Sequence, residues 1–324
     1  MISRRLIAAA TAAVVLGLSG QALAQANYPA KTITVVVPFA AGGPTDALAR
    51  ILSAKMSEKL GQQIIVDNVG GAGGTIGVAK AARAAPDGYT LAFTHMGTLA
   101  VNIALYKSLP YDSVKDFEPI GLGGTNPMVL VAKKGLPVKD FKEFAAYVKA
   151  NEAKVQYGMA GIGAASHLGG LMLNSMMKVN VLEIPYRGTA PALNDLVAGQ
   201  FDYMVDQAVN VLAQIKGGNI MALGVSTKKR LDVLPDVPTI DEAGLPGYEV
   251  EIWNGFFAPK AIIDKLNAVL TETLADPAIS KRLAELAVVV PGKAESTPEA
   301  LAATLKASID KWVPAVRAAG VKPE

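Results

Sequence analysis

Residues 33–52 read ITVVVPFAAGGPTDALARIL and decide the fold class of this chain. The run from Ile33 to Val37 consists of β-branched residues, which is typical of a buried strand. From Asp46 onward the apolar residues recur with a helical period, which predicts a helix over residues 46–60. A strand, a small-residue loop and a helix in this order predict one unit of a parallel α/β sheet.

The same switch between strand-like and helix-like patterns recurs along the chain. Further strands are predicted over residues 63–68, 89–93, 128–132, 155–158, 181–184, 203–205 and 221–225. Further helices are predicted over residues 75–83, 98–106, 140–150, 166–178, 189–198 and 207–216. Such alternation favours an α/β fold with mostly parallel sheets flanked by helices.

The last third of the chain has a different pattern. Residues 234–248 are rich in proline and glycine and predict a long ordered loop or linker. A strand over residues 250–257 and helices over 261–275, 278–286 and 298–319 follow. We therefore expect two α/β domains, the first made of residues 25–126 and 246–324 and the second of residues 127–245.

The N-terminus carries an export signal pattern. Arg4 and Arg5 precede an apolar run over residues 6–18, and Ala-Leu-Ala stands at 22–24. This order predicts a signal peptide of residues 1–24, cleaved after Ala24. A membrane anchor is the alternative, but the run is shorter than the ~20 apolar residues that a spanning helix needs.

Composition excludes several kinds of site. The chain has no cysteine and two histidines, so thiol catalysis, disulfides and a His-rich metal site are not expected. Losing Arg4 and Arg5 lowers the formal net charge from +3 to +1. Such a balance gives no electrostatic case for nucleic-acid binding, and we expect neither a metal nor a cofactor.

Two loops share one design, each joining a predicted strand to a predicted helix. They run over residues 38–46 and 158–167, and glycines and small residues would let backbone N–H groups approach a ligand. Thr45 or Asp46 and Ser166 are suitable N-cap residues. A helix N-terminus at each loop would bind a carboxylate, phosphate or sulfate. The alternative is that both loops are ordinary tight connections.

Other candidate sites are weaker. The glycine cluster at residues 70–77 only loosely matches a dinucleotide fingerprint, and a structural turn or a cleft wall is the alternative. Ser166 and His167 are adjacent and cannot pair with each other, and no G-x-S-x-G motif occurs. We therefore do not expect an enzyme. Asp206 follows a predicted strand at its carboxyl end, where it would face the cleft or cap the next helix.

Motifs of one known family occur in order along the chain. They are YP at 28–29, VVPF at 36–39, GGPTD at 42–46, AR at 49–50, GAGG at 71–74, AAPDGYT at 84–90, LPYD at 109–112, DF at 116–117, SHL at 166–168, PYRG at 185–188, LPDVPT at 234–239 and EAGLPGY at 242–248. The chain resembles the Bug receptors, the periplasmic solute-binding proteins of tripartite tricarboxylate transporters.

The resemblance implies a two-domain, type II periplasmic-binding-protein fold with a ligand cleft between the domains. It implies a periplasmic receptor that binds a carboxylate through both loops, through residues near 94–98 and through Asp206. The implied ligand-binding residues are Phe39, Ala41, Gly42, Gly43, Thr45, Asp46, His95, Met96, Thr98, Ala160, Gly161, Gly163, Ser166, His167 and Asp206.

The implied partners are a carboxylate ligand and the membrane permease subunits of the transporter, and we expect a monomer. A sensor subunit that presents the same ligand to a signalling kinase is the alternative. The ligand class stays open between aliphatic di- or tricarboxylates, acidic amino acids, nicotinate and aromatic acids such as terephthalate. Ala40, Ala41 and Met96 would leave apolar room and favour a longer or aromatic acid.

Overall fold

The computed structural model describes residues 28–259, 263–318 and 323. The predicted signal peptide, residues 1–24, lies outside these residues. Within the described ranges, no helix combines the length and the apolar character needed to span a bilayer.

The described chain alternates strands and helices, as the sequence predicts. The strands are β1 (Ile33–Val37), β2 (Ile64–Asn68), β3 (Thr90–His95), β4 (Glu118–Lys133), β5 (Gln156–Met159), β6 (Leu182–Pro185), β7 (Tyr203–Gln207), β8 (Ile220–Val225) and β9 (Glu251–Ala258). The helices are α1 (Pro44–Leu60), α2 (Thr75–Ala82), α3 (Asn102–Leu105), α4 (Phe141–Ala150), α5 (Ala165–Met177), α6 (Thr189–Val197), α7 (Ala208–Lys216), α8 (Ile263–Leu274), α9 (Pro277–Glu285) and α10 (Pro298–Ala318). The α/β class is therefore confirmed.

The strands form one mixed sheet in the order β2-β1-β3-β9-β4-β7-β5-β6, with β8 paired to β4. The outer strands pair in parallel, as predicted, while the central strands β4 and β9 run antiparallel to their neighbours. Residues 118–127 of β4 pair with β9, and residues 128–133 pair with β7 and β8. We call β1–β3, β9 and the start of β4 the first half, and β5–β8 and the end of β4 the second half.

Both faces of the first half are buried. Val35 and Val37 pack with Leu48 and Leu52 of α1, whereas Val36 faces the other side and packs with Val78 of α2. Burying one such side chain contributes about 1.5–3 kcal/mol. The β-branched run that predicted β1 is therefore a strand covered by helices on both faces.

The chain passes between the halves at two points that one serine joins. The first is Met128 in β4, whose N–H donates to Ser226 Oγ at 2.8 Å and whose carbonyl accepts from the N–H of Ser226 at 2.9 Å. The second is Val250, whose N–H donates to the carbonyl of Ser226 and whose own carbonyl accepts from Ser226 Oγ. The domain boundaries at 126/127 and 245/246 stay a prediction.

Two elements differ from the sequence-based expectation. The sequence predicted only residues 128–132 of β4, since glycines and prolines interrupt residues 118–127 and weaken the strand signal. The pairing of β4 with β9 indeed shifts register twice there. The helix predicted over residues 98–106 is instead a π-helical turn, Gly97–Val101, followed by α3.

Candidate functional site

Four helices begin around one small cavity, and none of them has a side-chain cap. Their N-cap residues are Gly43 for α1, Ala164 for α5, Gly188 for α6 and Gln207 for α7. Helices α4 and α9, elsewhere in the fold, are capped by the carboxylates of Asp140 and Asp276. The uncapped first turns leave N–H donors and the positive ends of helix dipoles at the cavity.

The cavity lies between residues of both halves. Its enclosed space is about 10 Å³, which is room for about one water molecule. The described residues that line it include no lysine and no arginine. They are Phe39, Gly43, Pro44, Thr45, His95, Ala160, Ala164, Ala165, Thr189 and Gln207. Positive potential at this cavity therefore comes from backbone dipoles rather than from basic side chains.

Asp46 holds the first loop in shape. Its Oδ2 atom accepts hydrogen bonds from the N–H of Gly42 at 2.9 Å and from Nε of Arg50 at 3.0 Å. Its Oδ1 atom accepts from Nδ2 of Asn68 at 2.9 Å. Burial raises the pKa of this carboxyl, but the hydrogen bonds outweigh burial, and the net pKa lies below its ordinary value. Asp46 is therefore an ionised residue engaged by the protein itself.

His95 lies on the cavity wall as a neutral imidazole. Its Nδ1 atom accepts from the N–H of Gly97 at 2.9 Å, which leaves the ring proton on Nε2. The ring stacks on Phe39 with centroids 4.9 Å apart. Burial lowers the pKa of His95 to about 4. This side chain can donate a hydrogen bond from Nε2 without carrying charge.

His167 supports the second loop from behind. Its Nδ1 atom accepts from the N–H of Gly163 at 3.2 Å, and its Nε2 lies 3.8 Å from Oε2 of Glu183. Burial lowers the pKa of His167 to about 4 and raises that of Glu183. His167 does not line the cavity, so it acts on the loop backbone.

Two hydroxyl groups also bond to the protein around them. Ser166 Oγ accepts from the N–H of Ala160 at 2.9 Å. Thr98 Oγ1 lies 2.8 Å from the carbonyl of His95, to which it donates, and 2.6 Å from Thr94 Oγ1. Both side chains are fully buried. They fix the loops that form the cavity.

Asp206 is buried directly behind the N-terminus of α7. Its Oδ1 atom accepts from the N–H of Gln207 at 2.8 Å, and its Oδ2 atom accepts from Nδ2 of Asn210. The hydroxyl of Thr189 also bonds to this carboxyl. Burial raises the pKa of Asp206 to about 7 despite these bonds. The carboxyl thus links the beginnings of α6 and α7.

The sequence-predicted residues fall into three groups. Those that line the cavity are Phe39, Gly43, Thr45, His95 and Ala160. Those that support it through hydrogen bonds or positive φ are Gly42, Asp46, Thr98, Gly161, Gly163, Ser166, His167 and Asp206.

Ala41 and Met96 lie outside the cavity. Ala41 is exposed, and Met96 lines a separate groove of about 840 Å³ together with Trp253 and Trp312.

The predicted N-caps were wrong. Helix α1 begins at Pro44, whose fixed φ suits the first helical position, so Thr45 and Asp46 lie inside the first turn. Helix α5 begins at Ala165, so Ser166 is also inside its helix. Its hydroxyl bonds to Ala160 instead.

The two predicted loops include the cavity residues Pro44, Ala164 and Ala165, although these were not among the individually named ligand-binding residues, whereas sequence reasoning missed Thr189 and Gln207 altogether. Thr189 follows β6 and Gln207 is the last residue of β7, so both lie at the carboxyl end of a strand. Ligands of open α/β sheets bind at that edge, so the strand ends were the signal. Gln207 is 1% exposed, and its Oε1 atom has no hydrogen-bond partner among the described residues.

Comparison with known proteins identifies the chain's relatives. The model of the tripartite tricarboxylate transporter family receptor matches residues 48–316. The chain belongs to this family. A curated relative from Agrobacterium vitis, a UPF0065 protein in the TAR-I ttuE-ttuC' intergenic region, is 41% identical over 98% of this chain and 92% of its own length.

Solved structures of the receptor family superpose closely on this receptor. The periplasmic binding protein BugD is 46% identical with a TM-score of 0.89, covering 92% of this chain and 100% of its own. MatC from Rhodopseudomonas palustris with bound malate is 42% identical with a TM-score of 0.87, covering 89% and 100%. A second R. palustris protein, with adipate, is 32% identical with a TM-score of 0.88, covering 92% and 100%.

These likenesses confirm the Bug-type receptor and the periplasmic-binding-protein fold predicted from the sequence. Receptors of this family are periplasmic solute-binding proteins and not enzymes. The expectation that the chain is not an enzyme is therefore confirmed. Within the described residues, no group of three or more His, Cys, Asp or Glu side chains is placed to hold a metal ion.

Proposed function

We propose that this receptor captures an aliphatic dicarboxylate in the periplasm and delivers it to the membrane permease of a tripartite tricarboxylate transporter. The observation that carries the proposal is the convergence of four uncapped helix N-termini on one cavity. Backbone N–H groups at helix N-termini are good donors to carboxylates.

Several donors have to act together in this site. One helix dipole contributes about 0.3–1 kcal/mol, and up to ~2 kcal/mol when partly buried. Micromolar affinity corresponds to about 8 kcal/mol. Helix α1 belongs to the first half, and α5, α6 and α7 belong to the second. A ligand with two carboxylates can therefore be held from both sides.

The positions of three side chains bear on the ligand class. Ala40 packs against Gly188, Ala41 is exposed, and Met96 lines the separate groove. None of them adds apolar room to the cavity, which removes the reason to expect a longer or aromatic acid. The malate and adipate bound to two solved relatives are both aliphatic dicarboxylates.

The size of the cavity implies motion. It has room for about one water molecule, so the two halves have to separate to admit a dicarboxylate, and the closed cavity that holds the ligand has to be wider. We infer that residues 25–126 with 246–324 and residues 127–245 act as two domains that close on the ligand. A ligand that contacts both domains favours the closed state.

Export of the receptor is part of the same proposal. Residues 1–24 would act as a cleaved signal peptide and place the mature chain in the periplasm. Mass spectrometry of the protein recovered from a periplasmic fraction tests this, and a mature chain that begins at Gln25 is expected.

Calorimetry on the mature chain, freed of co-purified ligand by unfolding and refolding, tests the binding function. The panel holds malate, succinate, adipate, citrate, nicotinate and terephthalate, with dimethyl succinate and butyrate as matched controls. At a free concentration 100 times its dissociation constant, an acid that binds raises the free energy of unfolding by about 2.7 kcal/mol. Binding of an aliphatic dicarboxylate but not of the diester is expected, and equal binding of both would contradict a carboxylate site.

A further inference from the structure

One glycine of the cluster at residues 70–74 lies against the second half of the molecule. Gly73 has a positive φ of 57°, and a Cβ placed on it would lie 1.7 Å from the carbonyl oxygen of Ile162. Ile162 belongs to the loop between β5 and α5. No side chain larger than hydrogen fits at Gly73 while this contact exists.

The same carbonyl oxygen is also held by a hydrogen bond. Tyr106, just after α3 in the first half, donates from its hydroxyl to the carbonyl of Ile162 at 2.9 Å. The side chain of Asn102 supports Gly73 by donating from Nδ2 to the Gly73 carbonyl at 3.4 Å. Two separate segments of the first half therefore meet one peptide group of the second.

A second close approach lies beside the first. A Cβ at Gly97 would lie 2.4 Å from the carbonyl oxygen of Gly163, and one at Gly163 would lie 1.7 Å from Oδ1 of Asn102. Neither Gly73, Tyr106 nor Ile162 lines the cavity. The contact between the halves therefore does not pass through the ligand position.

We propose that Gly73 and Tyr106 form a latch on the carbonyl of Ile162 that holds the receptor closed independently of which ligand is bound. This inference rests on the proposed function. The two residues are positioning residues, because they contact the loop between β5 and α5 and do not line the cavity.

The latch has a thermodynamic signature that a ligand contact lacks. The apparent dissociation constant equals the intrinsic one divided by the population of the competent state. A latch that raises the closed population strengthens the binding of every ligand by the same factor. A residue that touches the ligand changes the ratio between ligands.

Calorimetry of Tyr106→Phe and Gly73→Ala with malate, succinate and adipate tests the latch. Tyr106→Phe should weaken the binding of each acid by one common factor of about 3–10, the size expected for one hydrogen bond. Gly73→Ala should weaken all of them by a larger common factor. A loss confined to one acid would overturn the latch, because it would mean direct contact with ligand.

Two control variants distinguish loss of the latch from the general effect of backbone strain or of a lost hydroxyl group. Gly61→Ala introduces the same left-handed strain, at φ 64°, where a Cβ would meet nothing within 4 Å. Tyr28→Phe removes a hydroxyl that donates at 2.6 Å to the carbonyl of Gly88, within the first half. Both controls should bind like the wild type. Affinity losses equal to those of Gly73→Ala and Tyr106→Phe would overturn the proposal.

A distance measurement without ligand tests the latch even if the binding function fails. The chain has no cysteine, so Arg83→Cys in the first half and Lys149→Cys in the second can carry unique spin labels. The Gly73→Ala and Tyr106→Phe backgrounds should shift the distance distribution toward the open state. An unchanged distribution would overturn the latch, whereas a wild type that binds no acid would overturn the proposed function alone.

Discussion

The Nδ2 atom of Asn68, at the end of β2, lies 2.9 Å from Oδ1 of Asp46, in the first turn of α1. The same nitrogen donates to the carbonyl of Phe39 at 3.1 Å. One amide thus fixes both ends of the loop that forms one wall of the cavity. Asp46 is the centre of this arrangement, because its other oxygen accepts from Gly42 and Arg50.

Asp46→Asn should destabilise the receptor at neutral pH. The change removes the ion pair with Arg50 and can leave the N–H of Gly42 without an acceptor, which costs about 1–3 kcal/mol. Because the folded pKa of Asp46 lies below the ordinary value of 3.8, its contribution is present above pH 3.8 and is lost as pH falls through the folded pKa. Urea unfolding at pH 7 and near pH 3 measures the difference, which should shrink in acid.

Asp67→Asn is the matched control for that experiment. Asp67 lies on the neighbouring β2 and pairs with Lys80 at 2.6 Å, with 35% and 54% of the side chains exposed. Such a surface pair contributes less than about 1 kcal/mol. A loss for Asp67→Asn as large as that for Asp46→Asn would contradict the role assigned to Asp46.

Ala164→Ser should raise stability and lower affinity together. A serine at this N-cap can accept from a first-turn N–H of α5 and stabilise the helix by about 0.5–2 kcal/mol. The same N–H would no longer be available to a ligand carboxylate. Thermal unfolding and calorimetry with malate measure the two effects.

Asp140→Ala is the counterpart for the capping experiment. Its carboxylate caps α4 through the N–H of Glu143 at 2.8 Å, outside the cavity. Stability should fall by about 0.5–2 kcal/mol while malate affinity stays unchanged. If Ala164→Ser leaves affinity unchanged as well, the first turn of α5 does not hold the ligand.

Both imidazoles should stay neutral well into the acid range. Burial lowers the pKa of His95 and of His167 from 6.5 to about 4, and each Nδ1 accepts a backbone N–H. The folded state therefore binds fewer protons than the unfolded state between pH 6.5 and about 4, and stability falls as pH falls through that window. The sequence contains two histidines. An NMR titration should show both rings as Nε2–H tautomers that gain a proton near pH 4. Titration of either ring near pH 6.5 would contradict its burial.

Asp206 should make the stability of the receptor depend on pH in the opposite direction. Its carboxyl has a folded pKa of about 7 against an ordinary value of 3.8. The folded state binds the extra proton between these values, so stability falls as pH rises from about 4 to 7. Relative to Asp206→Asn, the wild type should lose a few kcal/mol across this range. Urea unfolding of both proteins at a series of pH values measures the difference, and parallel curves would rule out the raised pKa.

The sequence predicted β1, the first loop and α1 because local patterns determine each of them. It missed Thr189 and Gln207 because their place at the cavity depends on sheet order: β6, β5 and β7 bring the N-termini of α6, α5 and α7 to one edge. It placed Asp46 and Ser166 as caps because it could not see their tertiary acceptors and donors. Spacing alone does not give those partners.

The roles of the two histidines were equally hidden. The resemblance placed both among the ligand-binding residues, yet each accepts one backbone N–H from a glycine. The sequence placed Gly73 in a structural turn or a cleft wall and Gly163 in a ligand-binding loop, and it gave no individual role to Gly97. In the structure, their lack of a side chain lets the two halves approach each other.

The hydrogen bonds of Ser226 to Met128 and Val250, the two points where the chain passes between the halves, have an evolutionary consequence. Apart from β4, every described strand of the second half lies between residues 156 and 225, and within residues 28–259 the chain crosses between the halves beside Met128 and Val250. The second half is therefore one continuous segment inserted into the first half. The side chain of Ser226 bonds to the chain at both ends of this insertion. Recombination between relatives can exchange it as a single cassette, replacing three of the four helix N-termini at the cavity while the first half and its surface are retained.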